Sequence, residues 1–247
     1  CGRHLDNLEK AAFLAYVDSH IREDKWSLDA CVGRALQSGK FVRCELVCTK
    51  TLYRYVDLGL MGTRNHNLPE KLKRNTKAHR IRKNKKKLGR SIEERPKEVE
   101  NRQEFGHWEA DLVVGQKSGN DQVLLTLVER KSREYWMFPI KNRHADSVMG
   151  AFNALQKTYS EHFSQVFKTI TTDNGSEFSR LFELEELSET LVYYTYPYTL
   201  CEKGTIERHN GIIRRFIPKG KRISDFDVDY IADIEIWCNR LPRKIHN

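Results

Sequence analysis

HWEADLVVG (107–115) decides how this chain is read, because it places an acid, Asp111, in an apolar-flanked, strand-like stretch. Two further stretches carry an acid at an element end. FKTITTD (167–173) is strand-like and ends on Asp173, and TIERHNGIIRRF (205–216) reads as a helix with Glu207 in its first turn. Sixty-one residues lie between the first two acids and thirty-three between the second and third. A local calcium loop would gather its acids within about a dozen residues. Two strand ends and a helix can meet at one point, so the metal reading that remains is a tertiary site of three carboxylates. Such a site points to enzyme chemistry on a nucleic-acid backbone.

Working outward, QVLLTLVERK (122–131) and EYWMFPIKN (134–142) follow as strands, separated by the turn-like KSGND and KSR, so three hairpin-linked strands are expected. HADSVMGAFNALQKTYSEHF (144–163) has Val148, Phe152, Leu155 and Tyr159 at helical spacing. Past FKTITTD and an NGSE turn come an amphipathic helix (178–191), a strand LVYYTY (191–196), the Glu207 helix and a last helix near 225–239. Three antiparallel strands followed by alternating helix and strand predict an α/β, ribonuclease H-like core, a mixed five-stranded sheet with flanking helices. Its first and fourth strands are neighbours, which sets Asp111 beside Asp173.

Upstream, LEKAAFLAYVDSHI (8–21) puts Leu8, Ala12, Ala15 and Tyr16 on one stripe, Ser27 is an N-cap for SLDACVGRALQ (27–37), and Gly39 breaks the pattern. TKTLYRYVDLGLM (49–61) repeats Leu52, Tyr53 and Val56 at helical spacing. Helix, turn and helix in so small a unit suit a DNA reader, with Lys50 and Arg54 projecting toward the duplex, although small helical bundles with solvated cations are also common. The expected organisation is a helical, helix-turn-helix-like region at 1–61, a basic linker at 62–104 containing Pro69 and Pro96, and the catalytic core at 105–247.

Lys and Arg outnumber Asp and Glu by 43 to 34, a net charge of +9, and the excess is concentrated. Residues 71–90, KLKRNTKAHRIRKNKKKLGR, hold eleven Lys or Arg and no acid, among them Lys83, Lys85, Lys86 and Lys87. A block of this kind attracts polyanions, nucleic acid first; without an apolar face it does not suit a membrane surface, and a solvated linker is the plainer alternative. No run approaches the length of a membrane span and the start lacks a signal-peptide core, so the expectation is a cytosolic protein. The six scattered cysteines are expected as thiols. Cys44 and Cys48 are the only close pair, and they lack a second pair at zinc spacing.

GHWEADLVVG, TTDNGSEF (171–178), YPYTLCEKGTIERHNGIIRRFIPKG (196–220) and CNRLPRK (238–244), in this order and spacing, closely resemble insertion-sequence transposases of the IS30 family, within the wider group of Asp-Asp-Glu transposases and retroviral integrases. The resemblance runs from near Trp26 to CNRLPRK. It implies catalytic and metal-binding acids at Asp111, Asp173 and Glu207, with Asp111 bridging two Mg²⁺ or Mn²⁺ ions and each of the others completing one ion's shell. It also implies an Asn one helical turn after the Glu, here Asn210. Asn174 and Gly175 would shape the turn that presents Asp173, Gly175 through a left-handed or closely packed backbone. Glu109, on the same strand face as Asp111, would be a supporting or surface acid, and Lys203, Arg214 and Arg215 either phosphate contacts or plain surface charge. Glu177 and Glu202 rank below Glu207, and His107 and His209 are read as structural or DNA-facing. Cys201, Ile206 and Arg208-His209 depart from the family's usual residues, and the ends suggest a fragment.

The expected function is a DNA transposase that binds element ends, cleaves them and joins them to target DNA, acting as a homo-oligomer on double-stranded DNA in a bacterial, nucleoid-associated setting. A hydrolytic nuclease of the same fold, a DNA-binding regulator that has lost catalysis and a basic RNA-binding protein are the alternatives; the last explains the charge but not the acids.

Overall fold

The computed structural model describes residues 7–68, 88–116, 121–196 and 203–243, with side chains from residue 10 onward. The chain divides into two compact units, Cys1–Ala78 with Arg240–Asn247, and His79–Asn239.

The first unit is built on α1 (Asn7–Arg22), α2 (Leu28–Ser38) and α3 (Thr49–Asp57). Ser27 caps α2 as expected, its Oγ accepting from Ala30 N at 3.1 Å, and Gly39 ends the helix at φ 63°, where glycine is free of strain. In α1 the buried face is Phe13, Leu14, Val17 and Ile21, while Ala12 and Ala15 are exposed and Tyr16 is half-buried. The expected stripe is thus rotated by one residue. Phe13 and Val17 remove more apolar surface from water than two alanines, and the larger gain sets the face. Leu52, Tyr55 and Val56 hold α3 in this core, and Lys50, Tyr53 and Arg54 are exposed. Asp18 accepts from the backbone N–H of Gly62 and Thr63 at 2.8 and 2.7 Å, which ties the segment after α3 to α1.

The second unit contains, in order, β1 (Arg90–Ser91), α4 (Lys97–Asn101), β2 (His107–Val114), β3 (Val123–Glu129), β4 (Tyr135–Ile140), α5 (Ala145–Tyr159), α6 (Phe163–Val166), β5 (Thr169–Thr172), α7 (Glu183–Leu187), β6 (Leu191–Tyr194), α8 (Gly204–Ile213) and α9 (Val228–Arg240). The strands form one sheet in the order β1-β6-β5-β2-β3-β4. β2, β3 and β4 are antiparallel, and β5 joins β2 in parallel. This is the ribonuclease H-like order, with a two-residue strand from the segment expected to be linker added beside β6. The helix expected over 178–191 contracts to α7, preceded by a single turn at Ser176–Phe178.

Alternation along β2 sorts its side chains between two layers. Trp108 and Ala110 face a core with Leu125, Leu127, Phe152, Phe167 and Ile170, under α5. Val113 faces the opposite core, with Leu124, Val128, Tyr135, Ile206, Ile213 and Ile234, under α8 and α9. Glu109 and Asp111 share the parity of Val113 and therefore lie on the α8 side.

Candidate active site

The parallel register of β2 and β5 pairs His107 with Thr169 and Glu109 with Thr171. One further step along both strands brings Asp111 level with Asp173. Between them lies a single ammonium: Lys203 Nζ is 3.4 Å from Asp111 Oδ1 and 3.7 Å from Asp173 Oδ2. The Lys203 side chain is 8% exposed, against 24% for Asp111 and 43% for Asp173. Burial raises the Asp111 carboxyl above its ordinary range and Asp173 adds to the shift, while Lys203 opposes it.

Asp111 is oriented by side chains of its own layer. Asn210 Nδ2 donates to Asp111 Oδ2 at 2.8 Å, and the hydroxyl of the fully buried Tyr135 donates to Asn210 Oδ1 at 2.8 Å. Tyr135 faces Asp111's layer from β4, and burial pushes its phenol well above the usual value, so it remains a donor. The amide of Asn210 is fixed from one side by a phenol and presents its NH₂ to the carboxylate on the other.

Helix α8 is pinned to β2 at both ends. Glu109, fully buried, accepts from Ile206 N at 2.9 Å through Oε2 and from Arg130 Nη1 at 2.8 Å through Oε1. A carboxylate in this position neutralises a buried guanidinium and satisfies an N–H of the helix's first turn, where the helix dipole also favours a negative charge. Arg133 Nη1 donates to Thr205 Oγ1 at 3.0 Å, and Arg214 Nη2 donates to Val114 O at 2.9 Å beyond the far end. Ile206 and Ile213 are buried between these anchors. Glu207 lies on the exposed side of this fixed helix. Its carboxyl is raised above the ordinary value by partial burial and by the negative charges of Asp111 and Glu109, with Lys203 opposing. Among the described residues, no three His, Cys, Asp or Glu side chains stand close enough together to form a ready-made metal cage.

The turn after β5 is also built on contacts. Asn174 Oδ1 accepts from Leu88 N at 3.2 Å, and Gly175 N donates to Asp173 Oδ1 at 3.2 Å. Gly175 has φ −80°, so of the two expected reasons for glycine the second holds: a Cβ here would lie 2.7 Å from the Glu177 carboxyl and 2.9 Å from Asp173 Oδ1. Glu177 is buried and accepts from Arg143 Nε at 2.8 Å. His107 bonds Thr169 Oγ1 at 2.9 Å and Glu104, and His209 Nδ1 lies 2.8 Å from Thr205 O while its ring stacks on Tyr135, so both imidazoles have structural contacts.

Several expected DNA contacts have a different setting. Lys203 is buried between two acids, Arg214 is half-buried on a backbone carbonyl, and Arg215 is half-buried just beyond α8. Lys83, Lys85, Lys86 and Lys87 lie outside the described residues, as do Cys201 and Glu202. Sequence reading missed Tyr135 and Arg130; the parity of Glu109 with Asp111 was the available signal for a buried partner.

Residues 101–204 match the family model described as Integrase core domain. A probable transposase for the insertion-like sequence element IS1161 of Streptococcus salivarius is 39% identical over 198 residues, 80% of this chain and 55% of that protein. The transposase InsI for insertion sequence element IS30A of Escherichia coli is 33% identical over 63% of this chain and 39% of its own length. The catalytic core domain of BIV integrase aligns over 56% of this chain and 84% of that structure, at 18% identity and a TM-score of 0.39. The chain spans about half the length of the curated relatives it matches. No helix of the described residues is long and apolar enough to cross a membrane. By sequence, residues 101–204 match the Integrase core domain model, and the chain is similar to insertion-sequence transposases, that of IS30A among them.

Proposed function

We propose that this chain is the catalytic part of a DNA transposase that cleaves the ends of a mobile element and joins them to target DNA, with Asp111, Asp173 and Glu207 as its catalytic acids. The observation that carries the reading is the convergence of Asp111 and Asp173, from two parallel strands, on one positive charge. Two carboxylates already sharing a cation are a donor set suited to a hard divalent ion, which prefers oxygen ligands. Asp111, Asp173 and Glu207 would hold Mg²⁺ or Mn²⁺, two ions in the fullest form. When bound, the metal would supply activation of the attacking oxygen and stabilisation of the leaving one.

The protein's own residues set the geometry. Tyr135 and Asn210 aim Asp111, Gly175 and Asn174 hold the turn of Asp173, and the Glu109–Arg130 pair keeps α8, and with it Glu207, at a fixed height on β2. Double-stranded DNA is the proposed partner, in a homo-oligomer that pairs two element ends. Exposed Lys50 and Arg54 on α3 and the basic run at 71–90 are the proposed contacts outside the core. A region at 1–61, a linker at 62–104 and a core at 105–247 remain the proposed functional division.

The test is incubation of the chain with labelled DNA bearing candidate element ends, with Mg²⁺, Mn²⁺ or chelator, beside Asp173→Asn. Metal-dependent nicking and joined products, reduced at least about 100-fold in the variant, are expected. Nicks without joined products would replace transfer by hydrolysis, and cleavage that survives Asp173→Asn would sink the assignment of the acids.

A further inference from the structure

Lys203 is the one group of the site whose setting the proposed chemistry leaves unexplained. An ammonium withdrawn from water is costly unless paired, and here two carboxylates from different strands repay that cost together. Yet both contacts, at 3.4 and 3.7 Å, are long beside the roughly 2.7–2.9 Å of a strong charge-assisted hydrogen bond. The lysine screens the pair without being locked to either member. A compact charge on a four-carbon stem is suited to that, where a guanidinium fork would bind one carboxylate firmly. Its neighbour α8 does not depend on it: the helix is fixed through Ile206 N on Glu109, Thr205 on Arg133 and two buried isoleucines. Lys203 can therefore leave while Glu207 stays in place.

We infer that Lys203 is a built-in counter-ion of this site, held between Asp111 and Asp173 in the metal-free protein and displaced when a divalent cation takes the same oxygens. The inference rests on the acids being metal ligands, as proposed above. An ammonium and a divalent ion of like charge cannot share those oxygens at such distances without strong repulsion. Metal entry thus expels the lysine toward solvent, where a phosphate of the DNA backbone is its natural new partner. The charge that keeps two acids together during folding becomes a charge available to substrate only after the metal is loaded.

The experiment titrates the full chain with Mn²⁺, followed by electron paramagnetic resonance, for wild type, Lys203→Met, Lys203→Arg and Asp111→Asn. In parallel, acetylation of Lys203 by an amine-reactive reagent is read by mass spectrometry with and without Mn²⁺. Lys203→Met is expected to bind Mn²⁺ about tenfold more tightly, because a positive charge close to the ligand oxygens has gone. Lys203→Arg should bind Mn²⁺ no more tightly than wild type, because its fork holds a carboxylate that the metal must take. Acetylation of wild-type Lys203 should rise several-fold on Mn²⁺ saturation and stay low in Asp111→Asn. If Asp111→Asn abolishes Mn²⁺ binding but Lys203→Met leaves the affinity unchanged or weaker, the counter-ion role is overturned and the assignment of the acids stands. If wild type shows no Mn²⁺ binding that depends on Asp111, both are overturned. Should Lys203→Met fail to fold, the acetylation of wild type decides: equal labelling with and without Mn²⁺ overturns the inference.

Discussion

The two faces of the central strand differ in kind. Toward α5, β2 contributes Trp108 and Ala110 to an apolar layer in which the Trp108 indole N–H donates to Val166 O at 2.7 Å. Toward α8, the same strand contributes Glu109 and Asp111 to a layer of Tyr135, Asn210, Arg130 and Lys203. One face has few polar groups to satisfy and can be optimised for packing. The other holds buried charges that must be paired within the layer, at some cost in stability. Within that second face the difference sharpens again. Glu109 has a guanidinium and a backbone N–H, whereas Asp111, two residues on, has the neutral amide of Asn210 and an ammonium that it shares with Asp173.

The largest expected effect breaks the first face. Trp108→Ala removes a fully buried indole and leaves a cavity and an unpaired carbonyl, with an expected loss of about 3–5 kcal/mol in denaturant unfolding. A loss below about 1 kcal/mol would show that the α5 layer is not the mechanical support of the sheet.

Glu109→Ala tests the anchored acid of the second face. It leaves the buried Arg130 to its second partner, the exposed Glu100, and frees the first turn of α8, with an expected loss of about 3 kcal/mol. Hydrogen exchange at the amides of Ile206 and its neighbours should speed up well beyond that of β3, whose ladder is untouched. Uniform acceleration across the sheet would refute a local role for Glu109.

The smallest effect has the opposite sign. The folded carboxyls of Glu207 and Asp111 titrate above their ordinary values, so their favourable contribution is complete below the usual carboxylate range and is lost as pH rises through the raised value. At neutral pH the ionised forms cost stability. Glu207→Gln should therefore raise Tm by about 1–2 °C near pH 7, a gain kept small by the residue's exposure, and the gain should vanish near pH 4. A decrease at neutral pH would mean that Lys203 overcompensates the acids.

The elements that the sequence makes legible are those with a local cause. Strand parity, the Ser27 cap, the Gly39 stop and the three antiparallel strands follow from periodicity and backbone preference, and their order is enough to predict that β2 and β5 are neighbours. Asp111 and Asp173 are likewise legible as acids in strand-like stretches and Asn210 through the family resemblance, and the structure brings the three to one place, with Asp111 inside β2 rather than at its end. The pairing of Lys203 with two acids is not legible, because it depends on where the N-cap of α8 meets the sheet. Tyr135 and Arg130 look like ordinary members of a strand and a turn until α8 is laid over them. The buried stripe of α1 is not legible for a simpler reason: spacing alone does not weigh Phe13 against Ala12.

The parallel pairing of β2 with β5 has a consequence for how the chain reaches its native state. Trp108 pairs with Ile170 across some sixty residues of chain, while β2, β3 and β4 meet their partners across short stretches of sequence. Contacts of long sequence separation must overcome a larger loop-closure entropy and form later. A chain in which the antiparallel strands have formed but β5 has not docked carries Asp111 without Asp173. The acid pair is therefore a late product of folding, and a partly folded chain holds only half of it.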